Sequence, residues 1–131
     1  MIADVVRAAC AALEAAGLSP VYPRRMSAVD RSEGVVVRAT PTVVRAEYID
    51  GTVDLSCTLT AWCKFRGVER AMGAAEDAME ALWGSVLDAG GTPVALSQMG
   101  SGPSESELTD SGFSVWAISA RADWTERPRR A

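Results

Sequence analysis

Hydrophobic positions at the start of the chain recur every three or four residues. Ile2, Val5, Val6, Ala9, Ala12, Leu13 and Ala16 fall on one stripe, the spacing of an amphipathic helix, and predict one over residues 2–16. Alanine, the best helix former, is dense here. Gly17 follows as a C′ residue, and Pro20 bars the helix from resuming. Val21 and Tyr22 predict a short strand, residues 23–33 a polar loop, and the β-branched run Val35, Val36, Val37 a further strand. Pro41 cannot donate to a ladder, so it marks an edge, a bulge or a break.

The period then changes to two. Over residues 52–66, Val53, Leu55, Cys57, Leu59, Ala61, Cys63 and Phe65 point one way, and Asp54, Ser56, Thr58, Thr60, Trp62, Lys64 and Arg66 the other. That is a strand with one buried and one wet face. At about 3.3 Å per residue it runs roughly 50 Å, so it is expected to bend or to project beyond its sheet. Asp50-Gly51 before it is a two-residue hairpin signal. A two-residue turn would set Tyr48, Ala46 and Val44 against Val53, Leu55 and Cys57, apolar against apolar.

Helical spacing returns over residues 69–89, with Met72, Ala75, Met79, Leu82, Trp83, Val86 and Leu87 on a stripe ended by Gly90-Gly91. Residues 93–99 predict a short strand and 101–112, SGPSESELTDSG, a loop. Residues 113–124 alternate again through Trp116, Ile118, Ala120, Ala122 and Trp124. The expected architecture is α+β: a mainly antiparallel sheet around a long central hairpin, with two helices packed on one face. Leu13, Leu55, Cys57, Leu59, Met79 and Leu82 should share the core. With no internal repeat or linker, residues 1–131 read as a single domain ending in a short tail at 125–131.

Composition narrows the chemistry. The chain has no histidine, which removes the commonest general base and metal ligand together. Its three cysteines, Cys10, Cys57 and Cys63, form no C-x-x-C pair. Cys57 and Cys63, roughly 20 Å apart on one strand face, are beyond disulfide reach and read as core. A net charge of −4 argues against a nucleic-acid binder, and Arg127, Arg129 and Arg130 read as a solvated tail. No apolar stretch reaches membrane-spanning length. Asp4 and Glu14 lie inside the first helix, unlike a signal peptide, so the cysteines are expected reduced in a cytoplasm. GSGPS at 100–104 lacks the Gly-Lys-Ser ending of a phosphate loop. Glu76, Asp77 and Glu80 read as a solvated helix face. No catalytic, metal or cofactor site is expected.

Binding features stand out instead. The two-residue turn would place Glu47 opposite Asp54, and like charges across a ladder destabilise it. Either the turn is longer, or an outside cation answers the pair, with Arg66, Arg24 or Arg25 of a neighbouring subunit as candidate donors. Trp62 lies among Thr60, Lys64 and Arg66 on the polar face, an arrangement common in interface anchors. The plainer alternative is a Trp covered by another element of its own domain. Glu47, Asp54, Trp62, Lys64 and Arg66 are the candidate interface residues.

The run Glu47-Tyr48-Ile49-Asp50-Gly51-Thr52, the long strand ending Lys64-Phe65-Arg66-Gly67, and the following helix resemble the minor capsid or tail terminator proteins of long-tailed bacteriophages. The order of elements fits over nearly the whole chain, although the last strand lacks the family's aromatic-rich ending. The resemblance implies a ring of identical subunits, commonly a hexamer, that caps the tail tube. Its partners would be the tail tube protein and the head-tail connector. It would sit in the host cytoplasm during assembly and then in the virion, at the head-proximal end of the tail. The alternative function is a small-molecule-binding or regulatory α+β domain with an apolar pocket between helices and sheet.

Overall fold

The computed structural model describes residues 2–22, 33–108 and 113–127. Helix α1 (Ile2–Ala15) is followed by strands β1 (Val21–Tyr22), β2 (Gly34–Ala39), β3 (Val43–Glu47) and β4 (Val53–Arg66). Helix α2 (Val68–Leu82) precedes β5 (Val86–Ala89), β6 (Thr92–Leu108) and β7 (Phe113–Glu126). The strands form one seven-stranded sheet in the order β1-β2-β4-β7-β6-β5, with β3 pairing β4. All pairings are antiparallel except β1 with β2. The fold is α+β, as the pattern predicts.

The sheet curls around the helices. Helix α2 packs on β4, β7 and β6, while α1 touches β5 from one end of the sheet, β1 and β2 from the other, and α2 between them. The helix-facing side of β4 is the odd-numbered set: Cys57, Leu59, Ala61, Cys63 and Phe65 are buried with Leu13 and Leu82 in one core. Leu55 and Met79 pack at its margin, half-buried. The buried face of α2 consists of Ala71, Ala74, Ala75, Ala78 and Leu82. Small side chains let its backbone approach the sheet closely, so the expected methionines lie at the rim of the contact.

Three boundaries differ from the sequence expectation, each for a local reason. The second helix stops at Leu82 because Trp83 turns extended and Gly84 takes φ 77°. Residues 86–89 then alternate exposed and buried as β5, and Gly90 and Gly91, both at positive φ, close the β5–β6 hairpin. Strand β6 runs on through the expected loop to Leu108. It does so by bulging between Met99, paired with Ser119, and Ser104, paired with Ala117; residues 109–112 lie outside the described residues. The expected tail begins inside β7, where Thr125 and Glu126 pair with Asp54 and Val53, and 128–131 lie outside the described residues. Of the two alternatives for the long strand, β4 does not project beyond its sheet but lies within a sheet that curls: β7 covers one edge over Val53–Arg66, and β2 and β3 share the other. The break at Pro41 separates those two partners, with Thr40 bridging it by N–H to Thr58 O and by accepting Thr58 N–H at Oγ1.

The hairpin register also departs from the two-residue turn. Gly51 N–H donates to Tyr48 O and Tyr48 N–H to Thr52 O, both at 2.9 Å, so the loop holds Ile49, Asp50 and Gly51. Gly51, at φ 87°, supplies the left-handed residue that closes such a three-residue turn. Ladder pairs are Glu47 with Val53, Ala46 with Asp54 and Val44 with Leu55, and the register shifts again at Arg45. The expected facing of Glu47 and Asp54 is therefore incorrect. The longer turn of the two alternatives is the one the chain adopts, and it avoids the like-charge pair.

Candidate functional site

The five residues singled out from the sequence do not form one patch. Glu47 pairs with Val53 on the helix side of the sheet, exposed at its margin. Asp54, Trp62, Lys64 and Arg66 lie on the opposite, outer side of β4, and Asp54 and Arg66 are roughly 40 Å apart along it at about 3.3 Å per residue.

At the hairpin end, Asp54 is held within its own chain. Thr125 Oγ1–H donates to Oδ1 and the Tyr48 hydroxyl to Oδ2, each at 2.6 Å. These donors, Thr125 first, hold the carboxyl below the ordinary aspartate range, and the same bond pushes the Tyr48 phenol up. Asp50 is likewise lowered, chiefly by the Thr52 N–H that caps it at 2.9 Å. No outside cation is needed. A group whose folded pKa is depressed adds stability above its unfolded pKa and loses it as pH falls through the folded value. Asp54→Asn should therefore lower the melting temperature near neutral pH. The gap from the parent chain should close below the ordinary aspartate value of 3.8. A gap that persists unchanged at acid pH would show that the carboxylate charge is not what these donors stabilise.

At the other end the outer face is less wet than its sequence suggests. Phe113 is fully buried there and Lys64 is only 9% exposed. The Lys64 ammonium lies 4.6 Å and the Arg66 guanidinium 4.9 Å from the centre of the Phe113 ring, within cation–π range. Arg66 N–H donates to Glu33 Oε2 at 2.7 Å, and Arg70 Nη1 pairs with that oxygen at 3.0 Å. Glu33, lowered mainly by the Arg66 backbone bond, thus ties the start of β2 to the β4–α2 junction. The sequence reading placed it in a loop. Trp62, half-buried, pairs with buried Val36 and with Ala117, and lines a shallow hollow of about 190 Å³ with Arg38 and Thr60. Arg24 and Arg25 lie outside the described residues.

At the β1–β2 edge, a groove of about 720 Å³ opens against α1, lined by Ile2, Val6, Val21 and Ala39, by Arg7 and Glu14, and by Arg38, which also lines the outer hollow beside Trp62. Its signal in the sequence was slight, because its walls come from two elements far apart in the chain.

The cysteines are buried. Burial first, then Asp123, pushes the Cys57 thiol up to about 11; burial first, then Asp77, pushes Cys63 up to about 12. Thiols held protonated make poor nucleophiles. Among the described residues no three Cys, Asp or Glu side chains could share a metal ion, and no helix is long and apolar enough to cross a membrane.

The class defined by this geometry is an α+β fold in which one curled, mainly antiparallel sheet wraps two helices. No protein-family model matches the chain, and no curated protein matches it in sequence. Among solved structures it is similar to a chain of the "Virion of native gene transfer agent (GTA) particle", with a TM-score of 0.64 and 14% identity. The match covers 93% of this chain and 95% of that one. At that identity the likeness establishes the shared fold.

Proposed function

We propose that this chain is a structural protein of a phage-like virion, a tail terminator that forms a ring on the tail tube and meets the head connector. The observation that carries the reading is the end-to-end likeness of fold to a chain of a virion particle. The Tyr48-Ile49-Asp50-Gly51 hairpin and the order of elements support it from a different direction. The role is binding and not catalysis, exercised in the host cytoplasm during assembly and then at the head-proximal end of the tail. The test is to mix the purified chain with polymerising tail tube protein from the same source. Tubes of defined length, capped at one end by a ring in electron micrographs, are expected; tubes that grow unchecked with no bound chain would sink the proposal.

Trp62 is proposed to contact a neighbouring subunit or the tube through its exposed edge. Interface anchors of this type cost about 2 kcal/mol or more in binding when truncated. Trp62→Ala should abolish capping at temperatures where the variant, moderately destabilised by loss of a half-buried ring, is still folded. A large loss of thermal stability with capping intact would make Trp62 simply the cover of Val36.

The α1–β2 groove favours a second reading, a small-molecule-binding or regulatory domain. That reading requires a monomer or dimer by light scattering and no affinity for tubes.

A further inference from the structure

Apolar side chains are exposed unevenly on this molecule. Seven large hydrophobic residues are exposed among the described residues, and four of them, Val43, Val44, Tyr48 and Ile49, fall in the β3 arm and its turn. Ile49 is entirely exposed at the apex. Val43 and Val44 pair with Ser56 and Leu55 and so face opposite sides of the sheet, and the apolar contact offered at the tip is that of the adjacent Tyr48 and Ile49. The apex is also rigid. The turn is closed by the Gly51–Tyr48 and Tyr48–Thr52 backbone bonds, by Thr52 N–H on Asp50 and by the Tyr48 hydroxyl on Asp54. Little order would have to be gained on docking.

The groove between α1 and β2 is its counterpart. Its lining holds apolar Ile2, Val6, Val21 and Ala39 together with two cations, Arg7 and Arg38, and one acid, Glu14, so its charge is net positive. Among the described residues Arg7 has only an exposed 3.5 Å contact with Asp4, a weak pair, and Arg38 makes no salt bridge. The hairpin carries the opposite sign where it matters, Glu47 and Asp50 flanking Tyr48 and Ile49.

A chain cannot fill its own groove with its own hairpin. Ala39, in the groove, is paired with Leu59, while the turn lies beyond Val53. That is six residues, roughly 20 Å along β4 at about 3.3 Å each, and the ladder with β4 points β3 away. We infer that the hairpin turn of one copy seats in the α1–β2 groove of the next, Ile49 on the apolar floor and Asp50 towards Arg38 and Arg7. Donor and acceptor are different surfaces, so the contact is head-to-tail, the kind that closes into a ring when its rotation permits. This rests on the ring-forming reading and supplies the surfaces that reading lacks.

The test uses the full chain, with oligomer formation followed by light scattering and sedimentation across a concentration series, and on tail tubes. Ile49→Asp should weaken association roughly tenfold or more, as loss of a central anchor does, with the monomer's melting temperature unchanged because the side chain is exposed. Arg38→Glu and Asp50→Lys should each weaken it, and the Arg38→Glu/Asp50→Lys double variant should recover it. A cysteine pair, Ile49→Cys with Ala3→Cys in the groove lining, should give disulfide-linked oligomers on oxidation, whereas Ile49→Cys with Glu76→Cys, on the exposed face of α2, should not. Rings that persist in Ile49→Asp, without the Ile49–Ala3 link, would overturn this docking and leave the ring reading standing. The groove would then be a site for a small ligand. A chain that stays monomeric at every concentration and ignores tubes would overturn both.

Discussion

Phe113→Ala should destabilise the protein by about 3–5 kcal/mol, the usual cost of cutting a buried aromatic to alanine. Phe113 is fully buried, yet it lies on the side of the sheet away from the helices, at the start of β7 opposite Arg66. Its ring carries the Lys64 and Arg66 cations at 4.6 and 4.9 Å. Truncation removes the ring's apolar burial, leaves a void, and strips both cations of their aromatic face. Phe113→Leu should recover much of the loss, since it restores volume without the quadrupole. Urea denaturation measures both. A loss under about 1 kcal/mol for the alanine variant would mean that this outer cluster contributes little. Small domains are stable by only about 5–15 kcal/mol in total, so the expected loss is a large fraction of the whole.

The second large effect is on the helix side. Leu59→Ala should cost about 2–5 kcal/mol, because Leu59 is fully buried at the centre of the core, paired with Ala39 and Ala120. Its neighbour Thr58 points to the outer side, half-buried and paired with Arg121. Thr58→Ala should stay within about 1 kcal/mol, as substitutions away from the core do. The contrast between adjacent residues tests the strand's facing directly, since a one-residue slip turns every side chain over. Equal losses at the two positions would overturn the assignment of faces. Leu59→Val, with a smaller void, keeps the comparison measurable if the alanine variant does not fold.

The facing of β4 was legible because period-two alternation over Val53–Arg66 is a local property of the chain, as was the stripe of α1. The end of α2 was not. Val86 and Leu87 continue a helical spacing and also begin an alternation, and a short apolar run supports either. Only the partner strand β6 and the left-handed Gly84 settle it in favour of β5. In the same way Ser101–Leu108 has the composition of a loop, yet Ser104, Glu105, Glu107 and Leu108 pair with β7 once that strand lies alongside.

The candidate site divides along the same line. The exposure of a hairpin turn at Ile49-Asp50-Gly51 follows from the turn residues themselves, and the chain's lack of histidine is plain from its composition. Which carboxylate faces which depends on whether the turn holds two residues or three. Asp-Gly is compatible with both, so the local sequence does not choose. The choice falls to tertiary contacts: Thr125, from the far end of the chain, reaches Asp54 only after β7 has paired with β4. Alternation, capping glycines and helical stripes are short-range and survive in the sequence alone. The register at Arg45, the burial of Phe113 on the outer face, and the α1–β2 groove each join segments distant in the chain. Those were decided by the packed sheet, because only packing sets which distant side chains share a space.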